Sequence, residues 1–354
     1  MKIVLTGGGT GGHVIPNIAI IDYLKVNYPK AELVYIGSKK GMEKGLIAEK
    51  NCKFYAVETG KLRRYFSWEN FIDLIRIPAG LIQSLFIIKK FKPQVIFAKG
   101  GYVSFPVVIA GFILRIPIIL HESDLVPGMA NKLLSKFADK ICISYKESLN
   151  YFKNKDKIIL TGNPVRIEIT KGKKEVGYKL THFNKEKPIL LVMGGSSGAA
   201  FINGIIEKNK QELLKKYQII HICGKGKEIE IKNKNYLSFQ YVNEELKDLY
   251  AISDLIISRA GANSLAEIAI LNKSAIIIPL SRKASRGDQI FNAESFVKNH
   301  HAELLLEEDY SDEKVLTLID KLIKNKTKES EGKSSYDLAT KQISEIILNY
   351  ENRN

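Results

Sequence analysis

Ile3-Val4-Leu5-Thr6-Gly7-Gly8-Gly9-Thr10-Gly11-Gly12-His13 opens the chain with an aliphatic, β-branched run that stops in a glycine turn. A short run of this kind forms a strand, and the glycines let the backbone turn sharply into a helix. The pattern recurs at Leu33 to Ile36, Val95 to Ala98, Ile116 to Leu120 and Lys140 to Ser144, with helical stretches between. Such alternation predicts a parallel sheet covered by helices. After Asn163-Pro164, the Lys/Gly-rich stretch Lys171 to Lys187 has little apolar periodicity and marks a boundary region. A second series follows: Ile189 to Met193, Gln218 to Cys223, Leu255 to Ser258 and Ala275 to Leu280. The fold class is α/β: two Rossmann-like, doubly wound parallel-sheet domains facing a cleft, over residues 1–163 and 164–335. A last helix, about Tyr336 to Tyr350, carries Leu338, Ile343, Ile346, Ile347 and Tyr350 on one face and needs a docking surface, expected on the first domain.

Bulk properties narrow the setting. With 354 residues, 45% of them hydrophobic, the chain can bury two cores. Cys52, Cys142 and Cys223 lie far apart beside apolar segments, as reduced core thiols do. The amino terminus reaches glycine too soon for a signal peptide. The longest apolar run, Val103 to Leu114, contains Pro106 and falls short of the ~20 residues that span a bilayer. A net charge of +16 favours a polyanion without choosing among nucleic acid, acidic lipid and phosphorylated substrate.

Three strands end in glycine turns: Thr6 to His13, Lys99-Gly100-Gly101-Tyr102-Val103-Ser104, and Met193-Gly194-Gly195-Ser196-Ser197-Gly198-Ala199. Each brings backbone N–H groups and the positive end of a helix to one spot, which suits a phosphate or a sugar. One such turn is weak evidence; turns in both halves are harder to dismiss. Gly7, Gly9 and Gly12 also satisfy the G-x-G-x-x-G of a nicotinamide or flavin enzyme. That fingerprint asks for an acidic residue at the end of the second strand, where this chain has Gly37-Ser38-Lys39. A nucleic-acid binder explains the charge but not the paired turns.

Taken in order, Gly7 to His13, Gly100 to Ser104, His121-Glu122 with Pro127-Gly128 and Asn131, Gly162 to Arg166, Gly194 to Ser196, and Ser258 to Gly261 with Glu267 and Gln289 resemble the MurG-type peptidoglycan N-acetylglucosaminyltransferases. The resemblance runs from residue 3 to about 300 and implies the GT-B architecture. It further implies UDP-GlcNAc held by the second domain and a lipid-linked muramyl-pentapeptide held by the first. Transfer would be inverting, at the cytoplasmic face of a bacterial plasma membrane with the protein attached peripherally, near cell-wall assembly proteins. Related readings are a UDP-GlcNAc 2-epimerase, another GT-B enzyme or a catalytically silent sensor of the sugar nucleotide.

The chemistry asks for a base at the acceptor hydroxyl and fixed donors for the departing diphosphate. His13, at a helix start whose dipole favours the neutral ring, is the first candidate base; His121 is the second. Gly195, Ser196 and Arg166 are candidates to share the diphosphate charge, helix dipoles standing in for a cation, so metal and cofactor are expected to be absent. Glu267, expected in the first turn of a helix starting near Asn263, can take both ribose hydroxyls. The resemblance adds Tyr241 and Val242 for uracil and Gln289 for the sugar. It also places Thr10, Gly11, Gly12 and Ala262 on the donor, and Gly101, Tyr102, Ser104, Glu122 and Asp124 on the acceptor. Ser123, Asp124, Ser197 and Asp288 depart from the residues frequent in that family and put fine contacts in doubt. Lys61 to Lys92 alternates apolar and aromatic residues with Lys61, Arg63, Arg64, Arg76, Lys89, Lys90 and Lys92, as an interfacial segment on an anionic inner-leaflet surface does. An amphipathic helix folded on its own domain accounts for many of the same residues.

Overall fold

Ile3 to Thr6 pair in register with Leu33 to Ile36 on one side and with Val95 to Ala98 on the other, all three runs pointing the same way. The computed structural model describes residues 1–60, 68–194, 200–282, 287–325 and 337–351. The first sheet holds β1 (Lys2–Thr6), β2 (Glu32–Ser38), β3 (Lys53–Val57), β4 (Val95–Ala98), β5 (Ile118–Glu122), β6 (Lys140–Ile143) and β7 (Ile158–Leu160), in the spatial order β3-β2-β1-β4-β5-β6-β7. Its helices are α1 (Gly11–Asn27), α2 (Glu43–Ala48), α3 (Trp68–Phe91), α4 (Ser104–Ile113) and α5 (Met129–Leu134). The central strands are buried almost end to end because helices cover both faces, which is why they read as continuous aliphatic runs.

A second parallel sheet holds β8 (Ile189–Met193), β9 (Gln218–Ile222), β10 (Tyr236–Phe239), β11 (Leu255–Ser258), β12 (Ala275–Ile277) and β13 (Ala302–Leu304), in the order β10-β9-β8-β11-β12-β13. Its helices are α6 (Lys174–Thr181), α7 (Ala200–Lys216), α8 (Leu246–Ile252), α9 (Ala262–Ile270), α10 (Asp288–Asn299) and α11 (Asp312–Lys324). The chain divides after Arg166, and the final helix α12 (Asp337–Leu348) belongs with the first unit. There Ile343, Ile347 and Tyr350 join the core formed by Ile18, Ile21 and Leu24 of α1. Thr340 pins α12 by donating its hydroxyl to Val165 O at 3.0 Å and accepting from Val165 N at 3.1 Å.

Four details differ from the sequence reading. The stretch Lys171 to Lys187 holds helix α6 although it lacks an apolar stripe. Gly177 fits against the Asp248 carbonyl of α8, and the Asp248 carboxylate accepts from Lys173 N at 2.7 Å. His121 and Glu122 lie within β5, which begins only after Pro117. Helix α9 starts at Ala262, which puts Glu267 in its second turn rather than its first. Leu338 is 57% exposed and takes no part in the buried face of α12.

Candidate active site

In each sheet the strand order reverses beside the first strand of the series, between β1 and β4 and between β8 and β11. Loops leaving the carboxyl ends at such a switch point diverge and leave room for a ligand. The loops after β1 and β4 carry the first two glycine turns; those after β8 and β11 carry Gly194 and Arg259-Ala260-Gly261. Gly195 and Ser196 lie outside the described residues.

In the first unit the two glycine turns interlock. Gly9, at φ +88°, packs so tightly on Tyr102 that a Cβ would stand 2.5 Å from its Cε1. Gly101, at φ +79°, leaves a Cβ no space: it would meet Gly8 O at 2.6 Å and the His13 ring at 3.0 Å. Beneath them, buried Asn17 donates to Thr6 O and His13 O, each at 3.2 Å, and the Tyr35 hydroxyl donates to Gly7 O at 2.7 Å. Ser104, named from the sequence as an acceptor contact, is buried and donates its hydroxyl to Gly100 O at 2.9 Å, so it shapes the turn. Thr10 caps α1 with extended backbone and is exposed, with Gly11 and Gly12 following in the first turn.

His13 is half-buried, and its pKa is lowered from 6.5 to about 4, first by burial and then by the Lys99 charge. The ring is therefore neutral at pH 7, as a base requires, although the leading cause is burial where the sequence suggested the helix dipole. His121 is fully buried in β5, its Nε2 donating to Gly162 O at 2.9 Å, and burial lowers its pKa well below the ordinary range. It braces the loop after β7.

Behind the turns sits a buried charged cluster. Glu122 accepts from Asp124 N at 3.0 Å, Gly128 N at 3.1 Å and Asn131 Nδ2 at 2.9 Å. Burial and then Asp124 hold its carboxyl above the usual carboxylate range. Lys99, 1% exposed, donates to the Ser123 hydroxyl; burial lowers its pKa to about 8 against the upward pull of Glu122 and Asp124. Ser123 and Asp124, where this chain departs from the pattern it resembles, thus face Lys99: Ser123 through its hydroxyl and Asp124 through its charge. The sequence reading quoted Lys99 at the head of the second glycine turn but gave it no role. It also missed buried Glu43, whose Oε1 accepts from Ser38 N at 2.8 Å and whose carboxylate fills the space beside Gly8.

In the second unit Tyr241 follows β10 and is 58% exposed, which rules out a core role, while Val242 is buried. Ala262 begins α9 and Glu267 lies buried one turn further, its Oε2 accepting from the Tyr250 hydroxyl at 3.2 Å. Gln289, at the start of α10, accepts from Leu280 N at 3.1 Å, which fixes its amide against the end of the β12 segment. Arg259 is buried and bonds Ile278 O, Pro279 O and the Glu307 carboxylate, tying the loop after β11 to its neighbours. Arg166, the last residue of the first unit, is half-buried.

Residues 3–143 match the N-terminal domain of glycosyltransferase family 28, and residues 189–347 match its C-terminal domain. The chain belongs to glycosyltransferase family 28. Within family 28 it is 46% identical over 354 residues to the UDP-N-acetylglucosamine--N-acetylmuramyl-(pentapeptide) pyrophosphoryl-undecaprenol N-acetylglucosamine transferase of Clostridium botulinum (strain 657 / Type Ba4), covering 99% of both chains. The Clostridium tetani (strain Massachusetts / E88) protein of the same name is 46% identical, over 99% of this chain and 98% of its own length. Among solved structures, Acinetobacter baumannii MurG superposes with a TM-score of 0.74 at 22% identity, over 98% of this chain and 99% of that one. The UDP-GlcNAc 2-epimerase of Neisseria meningitidis superposes with a TM-score of 0.66 at 16% identity over the whole of both chains. That likeness reflects the shared fold of two parallel-sheet units. The full-length sequence agreement lies with the family 28 transferases.

Proposed function

We infer that this chain transfers N-acetylglucosamine from UDP-N-acetylglucosamine to the muramyl 4-hydroxyl of undecaprenyl-pyrophosphoryl-N-acetylmuramyl-pentapeptide, with inversion at the anomeric carbon. What carries the inference is the 46% identity, end to end, to transferases that bear this name.

The residues fit the two halves of the reaction. His13, neutral at pH 7 and seated where the two turns of the first unit interlock, takes the proton of the acceptor hydroxyl as the new glycosidic bond forms. Gly101, Tyr102 and the turn that Ser104 holds in shape receive the acceptor, with Asn131, Glu122 and Asp124 behind them. In the second unit the bond from the anomeric carbon to UDP breaks, and the negative charge that develops on the diphosphate meets the backbone donors of the turn after β8. Arg166 shares that charge, Glu267 takes the ribose diol, Tyr241 stacks on uracil beside the backbone of Val242, and Gln289 reads the sugar.

The same acceptor calls for a lipid surface. Helix α3 exposes Ile75, Ile82 and Phe86, and α4 exposes Phe112 and Ile113, with Lys89, Lys90 and Arg115 on the same elements and their ends. Apolar side chains among cations suit peripheral attachment to anionic headgroups. Lys61, Leu62, Arg63, Arg64, Tyr65 and Phe66 lie outside the described residues. Among the described residues no helix is long and apolar enough to cross a membrane.

The test is transfer of labelled N-acetylglucosamine to a synthetic muramyl-pentapeptide pyrophosphoryl lipid. Wild type forms the disaccharide lipid, His13→Ala turns over slowly with donor affinity retained, and Glu267→Ala loses donor affinity. Conversion of UDP-N-acetylglucosamine to N-acetylmannosamine without any lipid would overturn the transferase reading.

A further inference from the structure

Carboxylates that recognise a ribose diol must present both oxygens in one plane to two hydroxyls, so the orientation of the carboxylate decides whether one or two hydrogen bonds form. Glu267 is buried in the second turn of α9, and the side chain of a neighbouring helix reaches its carboxylate.

That neighbour is on α8. The Tyr250 hydroxyl lies 3.2 Å from Glu267 Oε2 and 3.3 Å from Met193 Sδ, and the whole side chain is shut off from solvent. Its single proton goes to the carboxylate, the stronger acceptor, while the thioether packs against the same oxygen. Met193 is the last residue of β8 and directly precedes Gly194. One buried hydroxyl therefore touches both the helix that carries the diol carboxylate and the strand that leads to the third glycine turn.

We propose that Tyr250 is the positioning residue for donor recognition, its hydroxyl holding the Glu267 carboxylate in the orientation that accepts both ribose hydroxyls. This rests on Glu267 being the ribose contact. Tyr250 touches no substrate, and acts only through Glu267 and the end of β8.

The experiment compares binding of UDP and 2′-deoxy-UDP to wild type, Tyr250→Phe and Glu267→Ala by titration calorimetry, with steady-state transfer alongside. Phenylalanine keeps the ring and removes only the hydroxyl. Tyr250→Phe is expected to weaken UDP about tenfold, as loss of a hydrogen bond to a charged group does. Its 2′-deoxy-UDP binding changes far less, KM for the sugar nucleotide rises in step with the loss of UDP affinity, and kcat stays within about twofold. Wild-type UDP binding in Tyr250→Phe with weakened binding in Glu267→Ala overturns the proposal and leaves the ribose contact standing. Equal weakening of both nucleotides in Tyr250→Phe also overturns it, since a merely structural role would act on both alike. Wild-type UDP binding in Glu267→Ala overturns the ribose reading and the proposal with it.

Discussion

The imidazole of His13 and the α-carbon of Gly101 are packed so closely that a Cβ at position 101 would stand 3.0 Å from His13 Cδ2. The contact joins the first turn of α1 to the loop after β4, so the candidate base and the second glycine turn are one mechanical piece. Gly101→Ala disturbs both at once: the new methyl meets Gly8 O, a backbone atom that cannot rotate away, and φ +79° is strained for any residue with a Cβ. Expected are a stability loss of about 1–3 kcal/mol in denaturant melts and a fall in kcat that exceeds any change in UDP affinity.

The pH dependence of transfer follows from the causes of the His13 shift. With its pKa lowered from 6.5 to about 4, the ring stays in its base form far into the acid range. The acid limb of kcat/KM assigned to it then falls near pH 4, where an exposed histidine would put it near 6.5. Lys99 is the second cause, so Lys99→Met moves that limb upward by less than the full difference, burial remaining in place. A limb unmoved between wild type and Lys99→Met, or one already near 6.5 in wild type, contradicts this account.

Acid stability has a definite sign. His13, His121, His221 and His300 all have folded pKa values below their ordinary value, so between that value and the folded one the unfolded chain binds more protons. Stability is present above about pH 6.5 and is lost as the pH falls towards 4. Glu122, whose carboxyl is raised, pulls the other way, but it is one group against four. For His221 the shift to about 4 corresponds to roughly 3 kcal/mol as an order of magnitude. Thermal melts from pH 7 to 4 should show Tm dropping, and His221→Gln, which keeps a neutral polar group between Asn203 and Tyr236, should flatten the slope.

Tyr241 offers a clean separation of binding from folding. Because it is 58% exposed, Tyr241→Ala leaves Tm nearly unchanged. Loss of a base–aromatic stack is worth about 1–3 kcal/mol, so UDP affinity is expected to fall by about 5- to 150-fold. Titration calorimetry with UDP decides it; an unaltered Kd removes Tyr241 from the donor site.

Helix α12 carries the first unit's core rather than decorating it. Ile347 is fully buried against the α1 side of the sheet, and Ile347→Ala is expected to cost about 2–5 kcal/mol. Hydrogen exchange should localise the loss to residues of β1, β2 and α1, with the second unit's amides protected as before.

The parallel sheets were legible because buried strands of this kind are written as aliphatic runs, and the glycine turns because their punctuation is local. Short edge elements were not: β3 is only partly buried, and α6 is held by Gly177 and the Asp248 carboxylate rather than by an apolar stripe. Of the candidate site, His13, the glycine turns and Tyr241 stand at loops and helix starts where a sequence motif can point, while Glu267 was named from the sequence but sits one turn deeper than expected. Lys99, Glu43, Asn17 and Tyr250 were missed, since each acts through a partner 5 or more positions away that no single window of sequence shows. His121 lay between: its place beside Glu122 was readable, but its burial against Gly162 needed the fold.

Because α12 follows the whole of the second unit in the chain yet completes the core of the first, a nascent polypeptide emerging from the ribosome reaches Arg166 with a gap where Ile343 and Ile347 will sit. At ~5–20 residues per second, synthesis of the intervening segment takes on the order of 10–30 s. Through that interval the first unit waits, open-sided, for its closing helix.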